Sequence, residues 1–418
     1  MSKERIVNYL KICILAALIG LLVGLVMLLF NRTIDYLTLF RNNHHEIIYM
    51  LPVGGLLIIL IYRYLKITAK AGSEMVFRSM QYNEPINSAN GIAVFIASLL
   101  SHLFGASAGK TNASLQIGGV IADELSSLFK LTKRTRRYLI LCGLSAAVAT
   151  LFATPLAAAF LAVEVTTIGH FYYKALFPCS ISALVAYAIN QEHYVIETDY
   201  VLKNIPEFNA VNIILVIIIG IICAIIAIIF CMMIHYMVLI FNKINNKYLK
   251  ILISGCLLII LYAIFGNEYA GSGNDLITLA LKGNVVVNAF IIKMLVSAIS
   301  TAGGYQGGMV SPTLASGACL GICLSRFIDL DPSFCMAICM IALFVGVINA
   351  KGCALIMAVE MFGINAILYY IIVIIIADQL SLNFKIFNAQ EFESDKMLIA
   401  AVKRIKNRLE RDKDETFT

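Results

Sequence analysis

The sequence predicts an all-α polytopic membrane protein built from two inverted-topology repeats with broken helices. Three observations carry that expectation. Of 418 residues, 60% are hydrophobic and only 14% are charged, and the mean hydropathy is +0.87. A soluble domain carries about a quarter charged residues. Apolar runs recur at near-membrane length, since a helix needs roughly 20 apolar residues to cross the hydrocarbon. Finally, short motifs in the first half return in the second at an almost constant offset.

The runs lie near 12–30, 47–62, 91–104, 138–153, 211–240, 251–265, 287–300, 334–348 and 364–377. The first, Ile12 to Phe30, is too long for a secretory signal and no small-residue cleavage site follows it. It is expected to be the first mature helix.

Net charge is +7, which raises nucleic acid as a partner. Its distribution argues for topology instead. Basic residues gather in short loops and at the ends: Lys3 and Arg5, Lys130 to Arg137, Lys243 to Lys250, and Lys403 to Arg408. Acidic Glu192, Glu197, Asp199 and Glu207 dominate 190–207. Excess lysine and arginine marks cytoplasmic loops, so both termini are expected in the cytoplasm of a plasma (inner) membrane protein, with no nucleic-acid partner.

The duplication is specific. Gly109, Gly119 and Phe129 return as Gly307, Gly317 and Phe327, each 198 residues later. Ala162-Val163-Glu164 returns as Ala358-Val359-Glu360, 196 later. A first membrane repeat over 1–205, a second over 206–390, and a short cytoplasmic tail over 391–418, expected to be helical, follow from this. Repeats of this kind place binding sites near the midplane at their interface. The segments 105–119, 151–165, 303–321 and 346–363 are short or interrupted by glycine and proline. Broken helices at membrane depth line cavities or are buried in protein, so these segments are the expected site.

Three loops combine glycine, small hydroxyls and a following helix: Gly72-Ser73-Glu74, Gly109 to Ser114, and Gly307 to Pro312. Glycine lets backbone approach a ligand, and a helix N-terminus offers unpaired N–H groups and a positive dipole end. Converging mid-membrane, such ends would hold an anion. The same small residues also serve helix packing, and it is the paired placement that favours the anion site.

Here the chain resembles the CLC family of chloride channels and transporters. Gly109-Lys110-Thr111-Asn112-Ala113-Ser114-Leu115-Gln116-Ile117-Gly118-Gly119 is similar to the family's G-K/R-E-G-P-x-x-Q-x-G-G motif. Gly307 to Pro312 is similar to G-G-x-F-x-P, Gly72-Ser73 to the start of G-S-G-x-P, and Pro155-Leu156-Ala157 with Glu164 to P-L-A-G…E. The resemblance implies a homodimer in membrane lipid with one pore per protomer. It implies an anion-binding set of Ser73, Thr111, Met309, Val310, Ser311 and Phe387, with a bound chloride or fluoride ion as substrate and no cofactor. Lys110 would add positive potential near the outer approach.

The departures shape the expected function. The family's gating glutamate falls on Thr111, its inner proton-transfer glutamate on Val165, and its pore tyrosine on Phe387. Threonine cannot ionise, so the sequence points to passive halide conduction, chloride first, with Thr111 in the gate position. The alternative is a proton-coupled fluoride or chloride antiporter using a non-standard carboxylate such as Glu74. A fluoride-exporting branch has a pore loop G-G-E-V-T-P, which Gly308, Val310, Ser311 and Pro312 fit well, though its glutamate falls on Met309.

Lys351 stands where Pro155 stands in the first half. A lysine at membrane depth costs roughly 3 kcal/mol on insertion scales. It either holds a second anion, adding to pore electrostatics, or pairs with a carboxylate or snorkels. Glu164 and Glu360 are expected to cap neighbouring N–H groups or pair with arginine. The eleven cysteines, including the i, i+4 pairs Cys319/Cys323 and Cys335/Cys339, read as small buried hydrophobes, and no metal is expected. The six histidines form no ligand-spaced cluster, so an enzyme is not expected.

Overall fold

A computed structural model describes residues 3–67, 72, 74–82, 84–165, 167–168, 171–194, 202, 204–386 and 391–392. Among them, sixteen α-helices run in two parallel series. The first series is α1 (Lys3–Asn43), α2 (Leu51–Tyr64), α3 (Glu74–Tyr82), α4 (Ala89–Leu103), α5 (Thr111–Leu128), α6 (Lys133–Phe152), α7 (Pro155–Glu164) and α8 (Tyr173–Tyr194). The second is α9 (Ala210–Asn242), α10 (Lys247–Phe265), α11 (Asn274–Leu281), α12 (Ala289–Gly303), α13 (Val310–Leu324), α14 (Pro332–Ile348), α15 (Lys351–Phe362) and α16 (Ile367–Leu380).

Packing repeats as the sequence does. In the first series α1 packs on α4, α6 and α8; in the second α9 packs on α12, α14 and α16. Across the halves α2 meets α10 and α7 meets α15. This is the expected polytopic all-helical architecture.

Every predicted apolar run is helical, yet not every one crosses a bilayer by itself. Five stretches are long and apolar enough to do so: Tyr9–Asn43, His45–Tyr64, Lys133–Phe152, Ala210–Asn242 and Lys247–Phe265. The runs near 91–104, 287–300 and 334–348 form helices of 15, 15 and 17 residues. At 1.5 Å per residue they reach about 22–26 Å, short of a 30 Å core. Such helices need neighbours to complete the crossing.

The boundaries follow local chemistry. Thr132, Asn209, Asn246 and Asp331 cap α6, α9, α10 and α14 through side-chain oxygens that accept first-turn N–H groups. Pro155 and Pro332 occupy the first turns of α7 and α14, where a missing N–H is harmless. The breaks at 153 and 349 are left-handed residues: Ala153 at φ 55° and Asn349 at φ 60°. Asparagine tolerates that region better than alanine does.

Close helix pairs rest on glycine. A Cβ on Gly317 would lie 2.7 Å from the Met340 Cα, and one on Gly321 would lie 2.5 Å from the Met336 Cα. That seals α13 against α14 by small-residue packing. The tail departs from its expected form at its start. Glu391–Phe392 (β2) pairs in parallel with Thr167–Ile168 (β1) rather than entering a helix. Residues 393–418 lie outside the described residues.

Candidate functional site

Both interior loops are built by the same device. Gly105 follows α4 at φ 85° and Gly304 follows α12 at φ 106°, the left-handed region that closes a helix end. Ala106 N then donates to Ser101 O (2.8 Å), and Tyr305 N donates to Ser300 O (3.2 Å). Each turn redirects the chain into a glycine loop that starts a new helix, α5 after 109 and α13 after 308.

The two loops bind each other. Gly109 N donates to Gly308 O (2.7 Å) and Gly308 N donates to Gly109 O (2.6 Å), an isolated antiparallel bridge. The approach admits no side chain. A Cβ on Gly308 would lie 2.7 Å from Asn112 N, and one on Gly109 would lie 2.9 Å from the Ser311 Cβ. Asn112 reinforces the junction by donating from Nδ2 to Gly307 O (3.5 Å). The N-termini of α5 and α13 therefore stand side by side inside the protein. First-turn N–H groups have no acceptor within their own helix, so the junction presents donors and two positive dipole ends to one place.

Thr111 is the first residue of α5. It is 1% exposed, and its Oγ1 has no hydrogen-bond partner. An unpaired buried hydroxyl costs about 1–3 kcal/mol, so the position favours a ligand that accepts a proton donor. Val310 and Met309 are buried beside it, and Ser311 is half-buried. Met309 is held by Thr301, whose Oγ1 meets its Sδ at 3.8 Å. Lys110 directly precedes Thr111, and its Nζ pairs with Asp35 (2.7 Å).

Two cavities approach this junction. One, of about 550 Å³, is lined by Arg41, His102, Lys110, Gly273 and Asp275 among others. The other, of about 1150 Å³, is lined by Arg63, Lys66, Lys247, Lys250 and Gln306. Gln306 adjoins the 307–312 loop, and Lys110 adjoins Thr111.

The remaining sequence-derived residues divide. Ser73 and Phe387 lie outside the described residues, as does the side chain of Glu74, which opens α3. Lys351 pairs with Asp378 of α16 (3.1 Å) and is half exposed. Glu164 and Glu360 accept backbone N–H groups across the α7–α15 seam, as expected of caps, with no arginine involved. Val165, at the end of α7, is buried. Two buried cations escaped the sequence reading. Arg41 sits at the end of a helix, and Lys293 is a single charge within an apolar run. Among the described residues no group of three or more His, Cys, Asp or Glu side chains could hold a metal.

Helix N-termini meeting in the interior of a polytopic helical protein, with two cavities that reach residues next to them, define a membrane anion-transport protein. A family described as "Voltage gated chloride channel" matches residues 54–382, and the chain belongs to it. A chloride/fluoride channel protein of Pseudomonas syringae pv. tomato is 30% identical over 358 residues, covering 84% of this chain and 79% of that one. An uncharacterized protein of Methanocaldococcus jannaschii is 27% identical over 329 residues, covering 75% of this chain and 79% of that protein. Among solved structures, a CLC-type fluoride/proton antiporter superposes with a TM-score of 0.89 at 25% identity, covering 94% of this chain and all of that one. A slow cyanobacterial chloride/proton antiporter shares the fold, with a TM-score of 0.78 at 20% identity over 89% of this chain and 94% of its own. The chain is thus a multi-pass CLC-type anion transport protein, whose substrate is the anion itself.

Proposed function

We propose that the protein conducts a small halide passively through the junction of α5 and α13. The observation that carries this is Thr111, a buried hydroxyl without a partner, standing where the family's ionisable gate stands. A threonine contributes a hydrogen-bond donor at every physiological pH and has no proton to exchange. The anion would take the Thr111 hydroxyl, the first-turn N–H groups of α5 and α13 around Val310 and Ser311, and Ser73 from the third loop. Met309 and Phe387 would complete the wall.

The halide is chloride or fluoride. The Gly308-Met309-Val310-Ser311-Pro312 loop leans toward the fluoride-exporting pattern, and the printed names of two similar proteins include fluoride. Proton-coupled antiport is the second reading. It is favoured by the 0.89 superposition on a fluoride/proton antiporter, and it would assign Glu74, at the start of α3, as proton carrier.

Residues 1–205 and 206–390 would form the two repeats, supported by the matching helix series and the mutual Gly109–Gly308 bridge. The larger cavity, with its four cations, would face the cytoplasm, putting both termini there and Lys110 at the outer approach. The protein would be a homodimer in the plasma membrane with one pore per protomer.

Liposomes loaded with potassium chloride or fluoride test this. Anion efflux after valinomycin alone, unaffected by a proton ionophore, is the expected result. Proton uptake in fixed proportion to anion release supports antiport instead.

A further inference from the structure

Lys293 opens the second turn of α12 within the apolar stretch Ala289-Phe290-Ile291-Ile292-Lys293-Met294-Leu295-Val296, and its side chain is fully buried. Its ammonium carries three N–H donors and is met by three acceptors. Nζ donates to Ser107 Oγ (3.0 Å), Tyr269 O (3.0 Å) and Gly271 O (2.8 Å). Ser107 Oγ also meets Ser297 Oγ (2.8 Å), one turn further along α12. The loop after α10 is shaped around this side chain. Gly273, at φ +100°, would place a Cβ 3.0 Å from the Lys293 Cε.

A second buried cation, Arg41, flanks the same loop. It donates to His102 O (2.9 Å) and Asn42 Oδ1 (3.1 Å), and its guanidinium abuts Gly271. Among the described residues neither cation has a carboxylate partner. Lys110 has one, Asp35. Asp275, the other acid lining the 550 Å³ cavity, is exposed and interacts with both Arg41 and Lys293 only through space. The cavity wall therefore holds three cations and two carboxylates, and behind it lies Lys293, whose three acceptors fit the ammonium form. A buried charge that no neighbour neutralises projects its potential into the adjoining space, because low dielectric screens it weakly.

Position adds to charge. Ser107 stands two residues ahead of Gly109 and four ahead of Thr111. We infer that Lys293 sets anion affinity at the mouth above Thr111: its uncompensated charge draws the halide into the smaller cavity, while its bond to Ser107 fixes the loop that delivers the α5 N-terminus. This rests on the anion pathway through the glycine loops, and it is independent of whether protons accompany the anion.

The test is halide flux against halide concentration in liposomes, with isethionate as balancing anion, for the wild type, K293M, K293R and D275N. K293M should raise the half-saturating halide concentration about tenfold, with the loss concentrated there rather than in the maximal rate. K293R should recover most of that shift, since it restores charge and donors. D275N removes an exposed negative charge and should lower half-saturation about two- to threefold. A folded K293M with wild-type half-saturation overturns the inference. Should K293M fail to fold, D275N decides, and an unchanged half-saturation there also overturns it. A wild type that passes no halide at all would instead sink the pathway reading itself.

Discussion

Glu164 and Glu360 each cap the helix that the other one ends. The Glu360 carboxylate, in α15, accepts Leu156 N (3.0 Å) and Ala157 N (2.8 Å) at the start of α7. The Glu164 carboxylate, in α7, accepts Gly352 N (3.2 Å) and Cys353 N (3.1 Å) at the start of α15. Each carboxylate thereby meets a positive helix end, where charge-assisted bonds are strongest. Replacing Glu360 with alanine should strip two N–H groups of their acceptor and cost about 1–2 kcal/mol. A drop of several degrees in detergent melting temperature, matched by Glu164→Ala, would bear this out. Equal melting to wild type would show the caps to be idle.

Thr111, at the proposed gate position, allows two effects to be separated. Thr111→Val keeps the shape and deletes the hydroxyl, so it should lower halide flux about two- to tenfold, the worth of one hydrogen bond. Thr111→Glu installs an ionisable plug. Its carboxylate is negative when ionised and neutral once protonated, so flux should be suppressed where it is ionised and rise as the medium is acidified. Wild-type flux should change little over the same range. A Thr111→Glu protein as active at neutral pH as in acid would refute a pore at this position.

Gly308 tolerates nothing larger. An alanine Cβ there would sit 2.7 Å from Asn112 N and 2.9 Å from the Thr111 Cβ. Gly308→Ala should therefore separate the loops and reduce flux by more than tenfold, a loss of over about 1.4 kcal/mol. Fluorescence size-exclusion chromatography would confirm that the helices still assemble, since the clash is local.

Lys351 and Asp378 should matter for stability rather than for flux. Asp378 is 3% exposed in its side chain, against 51% for Lys351. Asp378→Asn leaves a half-exposed cation without its ion pair, whereas Lys351→Met takes the cation from a buried carboxylate that Gln379 Nε2 also bonds (2.9 Å). The second change should lower thermal stability more, because a buried charge depends on its counter-charge more than an exposed one does. Flux per folded protein should stay near wild type in both. A large change in halide selectivity would place Lys351 back in the pathway.

The fold was legible because hydropathy and helix punctuation are local signals. Glycines at 109 and 307, prolines at 155 and 312, and the Ala-Val-Glu repeats marked the breaks that the structure contains. Lys293 was not legible. One lysine hardly dents the average of an apolar window, and its acceptors include two backbone carbonyls, which have no residue-type signature. Lys351 was recognised as unusual, but its partner lies 27 residues away on α16, beyond any helical period. Glu391–Phe392 looked like the start of a helix because a two-residue strand gains its bonds from a distant segment, 167–168, that pairing alone reveals.

The Gly109–Gly308 bridge has a consequence for biosynthesis. Half of this junction is translated nearly two hundred residues before the other half exists. Until the stretch beyond Gly307 has entered the membrane, the α5 N-terminus has no counterpart to hold it in register. A chain that stalls or is cut short before then lacks one of the two loops that bond each other at Gly109 and Gly308. The proposed anion pathway therefore takes shape only after the second loop has been made.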